Sequence, residues 1–580
     1  MVKVRIIGVL IGCLVALAGT PIFTFAGENT LTLAIENDPT NIDPRFGTDV
    51  NSTRVYQIVC SGLIKKDPKL NLAPDLAERW ENPDSKMYIF YLRKGVKFHD
   101  GTELTAEDVK YTFESILDPE MNSPKAAAYK PLVRFEVTAR LFDGLRQKGA
   151  PEDLFTKLNL LSNREYLKEE DFLRDVRAAI GEELTTQYKT PLLKYAQKIG
   201  IEITDPYTIK FTLNETFSPL LLDMTQQIVP KKATEAQKGK KFTNQLIGTG
   251  PFKFVEWKHD EQLVLEANPD YFGGAPKLHQ IVFRIIPDGT VRFLELKQGG
   301  VDLVQNALSP DIIPIAEKTE GLKVIAQDSV VIYYLGFNLE DPILKNVKVR
   351  QAMAYAIDCQ AIIDNLLKGQ ASLATGLLSP SNWAYESDVR TYNYDVEKAK
   401  VLLDEAGYHD PDGDGPQPRF KLVYKTSTDP LRIRTGEVFQ EQLKKVGIEI
   451  SEIQSFEWAK FYEDIKSGNF QIFTLQWVGI TEPDIFYSVY HSKMVPPEGR
   501  NRGRYSNPRI DELTEQGRQV IDIQERKKMY SEIQKILAED VPYIYLWYPH
   551  NIVVLHKRVQ GFTLYPDGDL ASLKEVWLEK

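Results

Sequence analysis

The sequence predicts a mixed α/β protein built as two or more lobes, and three observations predict it. The chain has 580 residues, more than one ordinary core accommodates. Hydrophobic residues make up 43% and charged residues 26%, the balance of a soluble globular protein. Strand-like and helix-like segments alternate along the whole length. Aromatic residues reach 11%, which suits large cores and a ligand cleft equally. The formal charge is −10. Such a chain repels polyanions, so nucleic acid is not an expected partner.

The N-terminus carries the first sharp signal. Lys3 and Arg5 precede an apolar run from Ile6 to Ala18, and Thr24 and Ala26 bracket Phe25. Charge, apolar core and small residues in that order read as a secretory signal peptide over residues 1–26, so a periplasmic protein is expected. The run is shorter than a bilayer span, which argues against a retained anchor. Leu10-Ile11-Gly12-Cys13 resembles a lipoprotein box. Because the apolar run continues beyond Cys13, an ordinary leader is the reading taken, with lipidation as the alternative. The mature chain keeps Cys60 and Cys359 in helix-like, partly apolar segments. Two free thiols are expected there.

Segments 88–92, 207–213, 262–267, 280–286, 331–337 and 471–477 are rich in Ile, Val, Phe and Tyr and read as strands. Thr105 with Asp108 three residues on makes a capping-box pattern, and Val109, Phe113, Ile116 and Leu117 follow on one apolar face. Val349, Met353, Ile357 and Leu367 predict another helix that stops at Gly369. Asp395 starts a third, carrying Ala399, Leu402, Leu403 and Ala406 up to Gly407.

Residues 137–200 differ from their surroundings. Ser162 and Glu165 make a second capping-box pattern, with Phe172, Leu173, Val176 and Ile180 behind it and Gly181 as its stop. Thr190-Pro191 then reads as an N-cap and first turn, followed by Leu192, Leu193, Tyr195 and Ile199. A helical insertion is expected here, by default a decoration of the first lobe. No internal repeat and no long low-complexity linker stands out.

Chemistry-bearing patterns are few. His99-Asp100-Gly101 reads as a tight turn, since no second His stands at ligand spacing. Gly248-Thr249-Gly250-Pro251 lacks a third glycine and a helix opening, so it is no dinucleotide loop. Asp410, Asp412, Asp414 and Gly415 mimic the start of a calcium loop, but position twelve is Lys421 where a bidentate carboxylate is needed. No metal or cofactor is expected. The short signatures of serine, zinc, thiol-redox and P-loop chemistry are absent from the sequence.

Six blocks in order carry a family resemblance. They are GVKFHDGTELTAEDV from Gly95, GTGPFKFVEW from Gly248, NPDYFGGAPKLHQIVFRIIPD from Asn268, LGFNLEDPILKNVKVRQAMAYAID from Leu335, YNYDVEKAKVLLDEAGY from Tyr392 and RYSNPRIDEL from Arg504. The chain resembles the family 5 extracellular solute-binding proteins, which include dipeptide, oligopeptide and nickel receptors of ABC importers. The resemblance spans nearly all of the mature chain except the helical insertion. It implies a two-lobed periplasmic-binding-protein fold (type II, cluster C) with a subdomain on the first lobe. Lobe I would cover residues 27–287, lobe II 288–542, and 543–580 would return to lobe I. The strands crossing between lobes would fall near 286–288 and 541–545.

The resemblance also implies a ligand buried between the lobes. From lobe I it points to Thr48, Asp49, Val50 and Asn51. From lobe II it points to Phe337, Asn338, Pro380, Trp383, Trp477, Val478, Gly479, Ile480, Glu482 and Asp484. Peptide binders of the family place an Asp three residues after the Trp matched by Trp477, where it pairs with the ligand's ammonium. Here that position is Ile480, and Glu482 and Asp484 are the nearest acids. Either Glu482 takes the amine or the ligand has none there. The expected function is therefore a monomeric importer receptor for a peptide or peptide-like solute, with membrane permease subunits as partners and no enzymatic activity. The alternatives are a receptor for a sugar, metal chelate or other solute, and a secreted hydrolase, which would line the cleft with raised-pKa carboxyls.

Overall fold

The computed structural model describes residues 29–162, 164–236, 245–413 and 415–579. The signal peptide expected over residues 1–26 and Cys13 lie outside the described residues, as does Asp414. Among the described residues no helix is long and apolar enough to cross a membrane, and Cys60 and Cys359 are free.

A mixed sheet of twelve strands, counted among the described residues, forms the frame. Its first half places Phe252–Lys258, Gln262–Ala267, Gln280–Ile285, Thr30–Ile35 and Leu303–Gln305 side by side. Its second half places Ile332–Phe337, Ile472–Trp477, Phe420–Ser427 and Ile448–Phe456 side by side. Tyr543–His556 belongs to both. Its N-terminal part pairs with Ile332–Phe337, with Tyr334 opposite Tyr545. Its C-terminal part pairs with Leu322–Asp328, from Asp328 opposite His550 to Leu322 opposite His556. Pro549 stands between the two parts, where a residue without an N–H interrupts a ladder at least cost. Residues 329–331 make the second passage, and Ser329 donates its hydroxyl to the Pro549 carbonyl. The 286–288 segment stays with the first half, where the Ile286 N–H bonds to the Ile35 carbonyl.

Each half buries its own apolar clusters. One, around Leu33, Val55, Phe252 and Phe283, lies on the first half of the sheet. Two more, around Leu422 and Phe439 and around Phe461 and Phe486, cover the second. A separate four-stranded sheet is ordered Ala77–Asp84, Met87–Leu92, Thr208–Thr212, Ile201–Asp205. It shares one cluster with the insertion, in which Phe90 and Phe211 join Leu141, Leu154 and Phe172. The insertion is thus continuous with the subdomain core.

The six predicted strands all form, and the Thr105 capping box is present with both of its bonds. Three helix readings change. The helix from Val349 breaks into Val347–Ala356 and Cys359–Asn365, because Asp358 leaves helical geometry to cap the second piece. Ser162 caps nothing; its hydroxyl bonds to Asn159, Glu165 enters a short strand, and the helix starts at Glu169. The helix expected to open at Thr190-Pro191 begins at Lys189.

His99 shows what the motif blocks do. Its N–H donates to the Gly248 carbonyl at 2.9 Å. Its Nδ1 accepts from the Gly248 N–H at 3.3 Å, and its Nε2 lies 3.0 Å from the Gly250 carbonyl. The ring is a clasp between two blocks and not a ligand. Burial pushes its pKa from 6.5 down to about 4. The unfolded chain therefore takes up a proton that the folded chain refuses. This stability is present above pH 6.5 and is lost as pH falls towards 4, by about 3 kcal/mol in all. Urea midpoints measured from pH 7 to pH 4 should show that decline, and His99→Gln should flatten it.

Candidate binding cleft

In open α/β sheets the carboxyl ends of parallel strands face the ligand crevice. In the first half, Thr30–Ile35 runs parallel to Gln280–Ile285 and Leu303–Gln305, so residues 36–49 leave its carboxyl end. In the second half, Phe420–Ser427 runs parallel to Ile448–Phe456 and Ile472–Trp477. Residues 428–432, Trp458 and 478–484 therefore share one edge.

The lobe I loop is only partly open. Asp49 caps the helix Val50–Val59, accepting from the Ser52 N–H at 2.9 Å and from the hydroxyls of Thr40 and Ser52. Burial works against its charge, but these bonds outweigh it and hold the carboxyl below its ordinary range. Asn51 is buried, giving its amide to the Asn37 carbonyl at 2.8 Å and accepting from Arg54 at 3.2 Å. Both residues brace the loop. Thr48 and Val50 are the exposed pair.

The lobe II residues divide as well. Phe337 is fully buried in the core. Asn338 ties a turn, donating to the carbonyls of Gly468 and Phe470 at 3.3 and 3.1 Å. Both lie at the other end of the sheet from Trp477, because Ile332–Phe337 runs antiparallel to Ile472–Trp477 and sets Phe337 opposite Ile472. Pro380 is exposed, and Trp383 packs edge-on against Tyr530 with the Arg526 guanidinium 5.2 Å away. Trp477 stacks parallel to Tyr334, and its buried Nε1 has no hydrogen-bond partner. Val478 is 53% exposed and Gly479 turns the chain at φ +70°. Ile480 is buried and donates its N–H to the Val330 carbonyl at 3.1 Å.

Neither acid near Trp477 is a free carboxylate. Glu482 pairs with Arg526, and Asp484 lies 3.0 Å from Arg518. Burial raises both carboxyls against the opposing arginines. Asp223 of lobe I faces the same group, and burial together with Asp484 and Glu482 pushes it well above its ordinary value. Here the lobes touch. Ser218 N–H donates to the Arg518 carbonyl at 2.8 Å, and the Arg518 guanidinium sits 4.9 Å from the Phe217 ring. Beside this contact is a cavity of about 300 Å³, lined by Lys168 of the insertion, Phe217, Tyr487 and Arg518.

Several residues on the lobe II edge were not anticipated. Trp458 is 52% exposed and stacks on Tyr462. Arg432, Arg500 and Arg502 surround Trp458 and Trp477. Trp458 had a readable signal, an aromatic residue two positions after the strand Ile448–Phe456. The arginines had none, since only folding brings 432 and 502 together. Among the described residues no group of His, Cys, Asp or Glu is placed to hold a metal. Asp410 and Asp412 accept from the backbone N–H groups of Asp412 and Gln417 instead.

A family model described as "Bacterial extracellular solute-binding proteins, family 5 Middle" matches residues 71–494. The chain belongs to this family. Family 5 membership accounts for the order of the motif blocks and for the two-lobed α/β architecture shared with solved relatives. The oligopeptide-binding protein AppA of Bacillus subtilis is 31% identical over 94% of this chain and 90% of its own length. Heme-binding protein A of Haemophilus influenzae is 29% identical over 94% and 91%. The structure of Bacillus subtilis AppA with a nonapeptide aligns with a TM-score of 0.70 at 28% identity, covering 95% of this chain and all of that one. That of NikZ from Campylobacter jejuni with Ni(L-His) aligns at 0.73 and 26%, with the same coverage.

Proposed function

We propose that this family 5 protein is the receptor of an ABC importer, closing two hinged lobes on a peptide or peptide-like solute and presenting it to the membrane permease. The carrying observation is the strand Tyr543–His556, which pairs with the second half of the sheet before Pro549 and with the first half after it. Two bodies joined there and at 329–331 can rotate about the two passages without breaking either core. Relatives named for peptides support the ligand class. The protein acts in the periplasm as a monomer, does not bind nucleic acid and performs no chemistry on its guest. A largely open population needs about 5 kcal/mol of preference for the closed form to become largely closed.

Ile480 favours a second reading, a receptor for a non-peptide solute. It stands where an ammonium-binding acid is expected, and both nearby acids are already paired with arginines. The test is small-angle scattering of the mature protein with and without a mixed peptide digest, followed by mass spectrometry of what stays bound. Contraction on binding with recovery of intact peptides is the expected result. Unchanged dimensions would remove the receptor reading. Cleaved guests would favour a hydrolase drawing on the raised carboxyls of Asp223, Glu482 and Asp484.

A further inference from the structure

We propose that the lobe II wall of the cleft reads an anionic group on the ligand, a carboxylate or phosphate, with Arg432 as the contacting residue and Arg502 as its support. The inference rests on the receptor reading and narrows its ligand class.

The argument starts from strand ends. Arg432 lies in the first turn of the helix after Phe420–Ser427, Trp458 opens the helix after Ile448–Phe456, and Trp477 ends its own strand. Side chains distant in sequence thus converge on one edge. The Arg432 guanidinium sits 5.8 Å from the Trp458 ring and 5.9 Å from the Tyr333 ring, and donates to the Thr474 carbonyl at 3.3 Å. Trp458 lies 5.7 Å from the parallel ring of Tyr462. The Tyr462 hydroxyl accepts from Arg502 at 3.2 Å, and the Tyr334 hydroxyl accepts from the same guanidinium at 2.9 Å. Arg502 in turn covers the Trp477 ring at 4.3 Å.

Charge decides what this wall receives. Among the described residues no carboxylate forms an ion pair with Arg432 or Arg502, whereas Arg518 and Arg526 each have one. Asp429 is near in sequence, but its side chain accepts the Arg432 backbone N–H as a helix cap. Arg502 is 5% exposed, and a buried cation without a counter-charge is costly. Aromatic faces and phenol oxygens offset part of that cost. An arriving carboxylate or phosphate offsets more, through paired charge-assisted bonds to a planar guanidinium. Arg432 is partly exposed and can make those bonds. Arg502 behind it orients Trp477 and Tyr462 and adds to the positive field. The position that would supply an ammonium-binding acid is Ile480, and Asp429, a carboxylate on this edge, is engaged as the cap of the Arg432 helix.

The test uses the mature protein and three forms of one tryptic digest: untreated, N-acetylated and methyl-esterified. Capture is quantified by mass spectrometry. Esterification should cut capture about tenfold or more and acetylation by less than about threefold. Arg432→Gln should lose most capture of the untreated digest and no longer distinguish it from the ester, while Arg432→Lys recovers part. Arg502→Gln should weaken capture and shift the tryptophan fluorescence of the free protein. Melting curves of each variant separate loss of binding from loss of fold. If no digest is captured, the peptide reading fails by itself, and glutarate and glycerol 3-phosphate become the probes. Binding of either that Arg432→Gln abolishes supports the proposal and tells carboxylate from phosphate. Capture that survives esterification, an Arg432→Gln variant that binds normally, or a protein that takes neither anion overturns it.

Discussion

Asp43→Ala is expected to lower the stability of lobe I by about 3–5 kcal/mol, the range for breaking a buried ion pair from one side. Asp43 and Arg45 are both fully buried. Asp43 accepts from the Arg45 N–H at 3.0 Å, from Nε at 3.1 Å and from Nη2 at 2.7 Å. Removing the carboxylate takes these three bonds and the opposite charge from a guanidinium in the core, which keeps contacts such as the Ser115 hydroxyl at 3.2 Å, Tyr111 and the Phe46 ring at 5.5 Å. Water cannot reach it without opening the loop. That loop leads to Thr48 and Val50, and Ser123 and Lys125 hold it through the carbonyls of Arg45 and Pro44. Ligand affinity should therefore fall with stability. The joint variant Asp43→Ala with Arg45→Met should recover much of the loss, because it removes the stranded charge as well. Urea unfolding of the three variants measures this, and a single-variant loss below about 1 kcal/mol would show that the charge finds other compensation.

Gly248→Ala should cost about 3 kcal/mol or more. A Cβ at this position would lie 2.1 Å from the Val59 carbonyl oxygen and 2.6 Å from the Cys60 sulfur. The first of these is backbone against backbone, so no rotamer change relieves it, and overpacking of this kind sits at or above the upper end of the usual range. The movement would also pull on the clasp to His99, both of whose bonds to Gly248 are main-chain bonds on the glycine side. Gly376→Ala is the control. Its Cβ would meet only the end of the Gln534 side chain at 3.9 Å, and its φ is not positive. Equilibrium unfolding should leave Gly376→Ala within about 1 kcal/mol of the parent. A Gly248→Ala protein as stable as that control would mean that the helix Val50–Val59 shifts freely, which its buried Val55, Ile58 and Val59 oppose.

Most of the frame was legible because it is written in local terms. Alternation and β-branched runs marked strands such as Gln262–Ala267 and Ile472–Trp477, and the Thr105 cap needs only residues within one turn. The readings that failed are those in which two local signals competed. Asp358 is a poor helix interior and a good cap, and it took the second role. Ser162 and Glu165 have capping spacing, but Glu165 pairs with Glu136 in the insertion's small sheet.

The candidate cleft was legible in outline and not in charge. The sequence alone determined the strand-and-helix order, the family, and the position of Trp477 at the end of a strand, because each depends on neighbours in the chain. Only the tertiary structure decided which charges are free. Glu482 and Asp484 look available in the sequence, yet Arg526 and Arg518, more than thirty residues away, neutralise them. Arg432 and Arg502 look unremarkable, yet they line up along Trp458 and Tyr462 with no ion pair to either guanidinium among the described residues. Electrostatic pairing acts through space over a few ångströms, and the chain order carries no record of those distances until the strands are side by side.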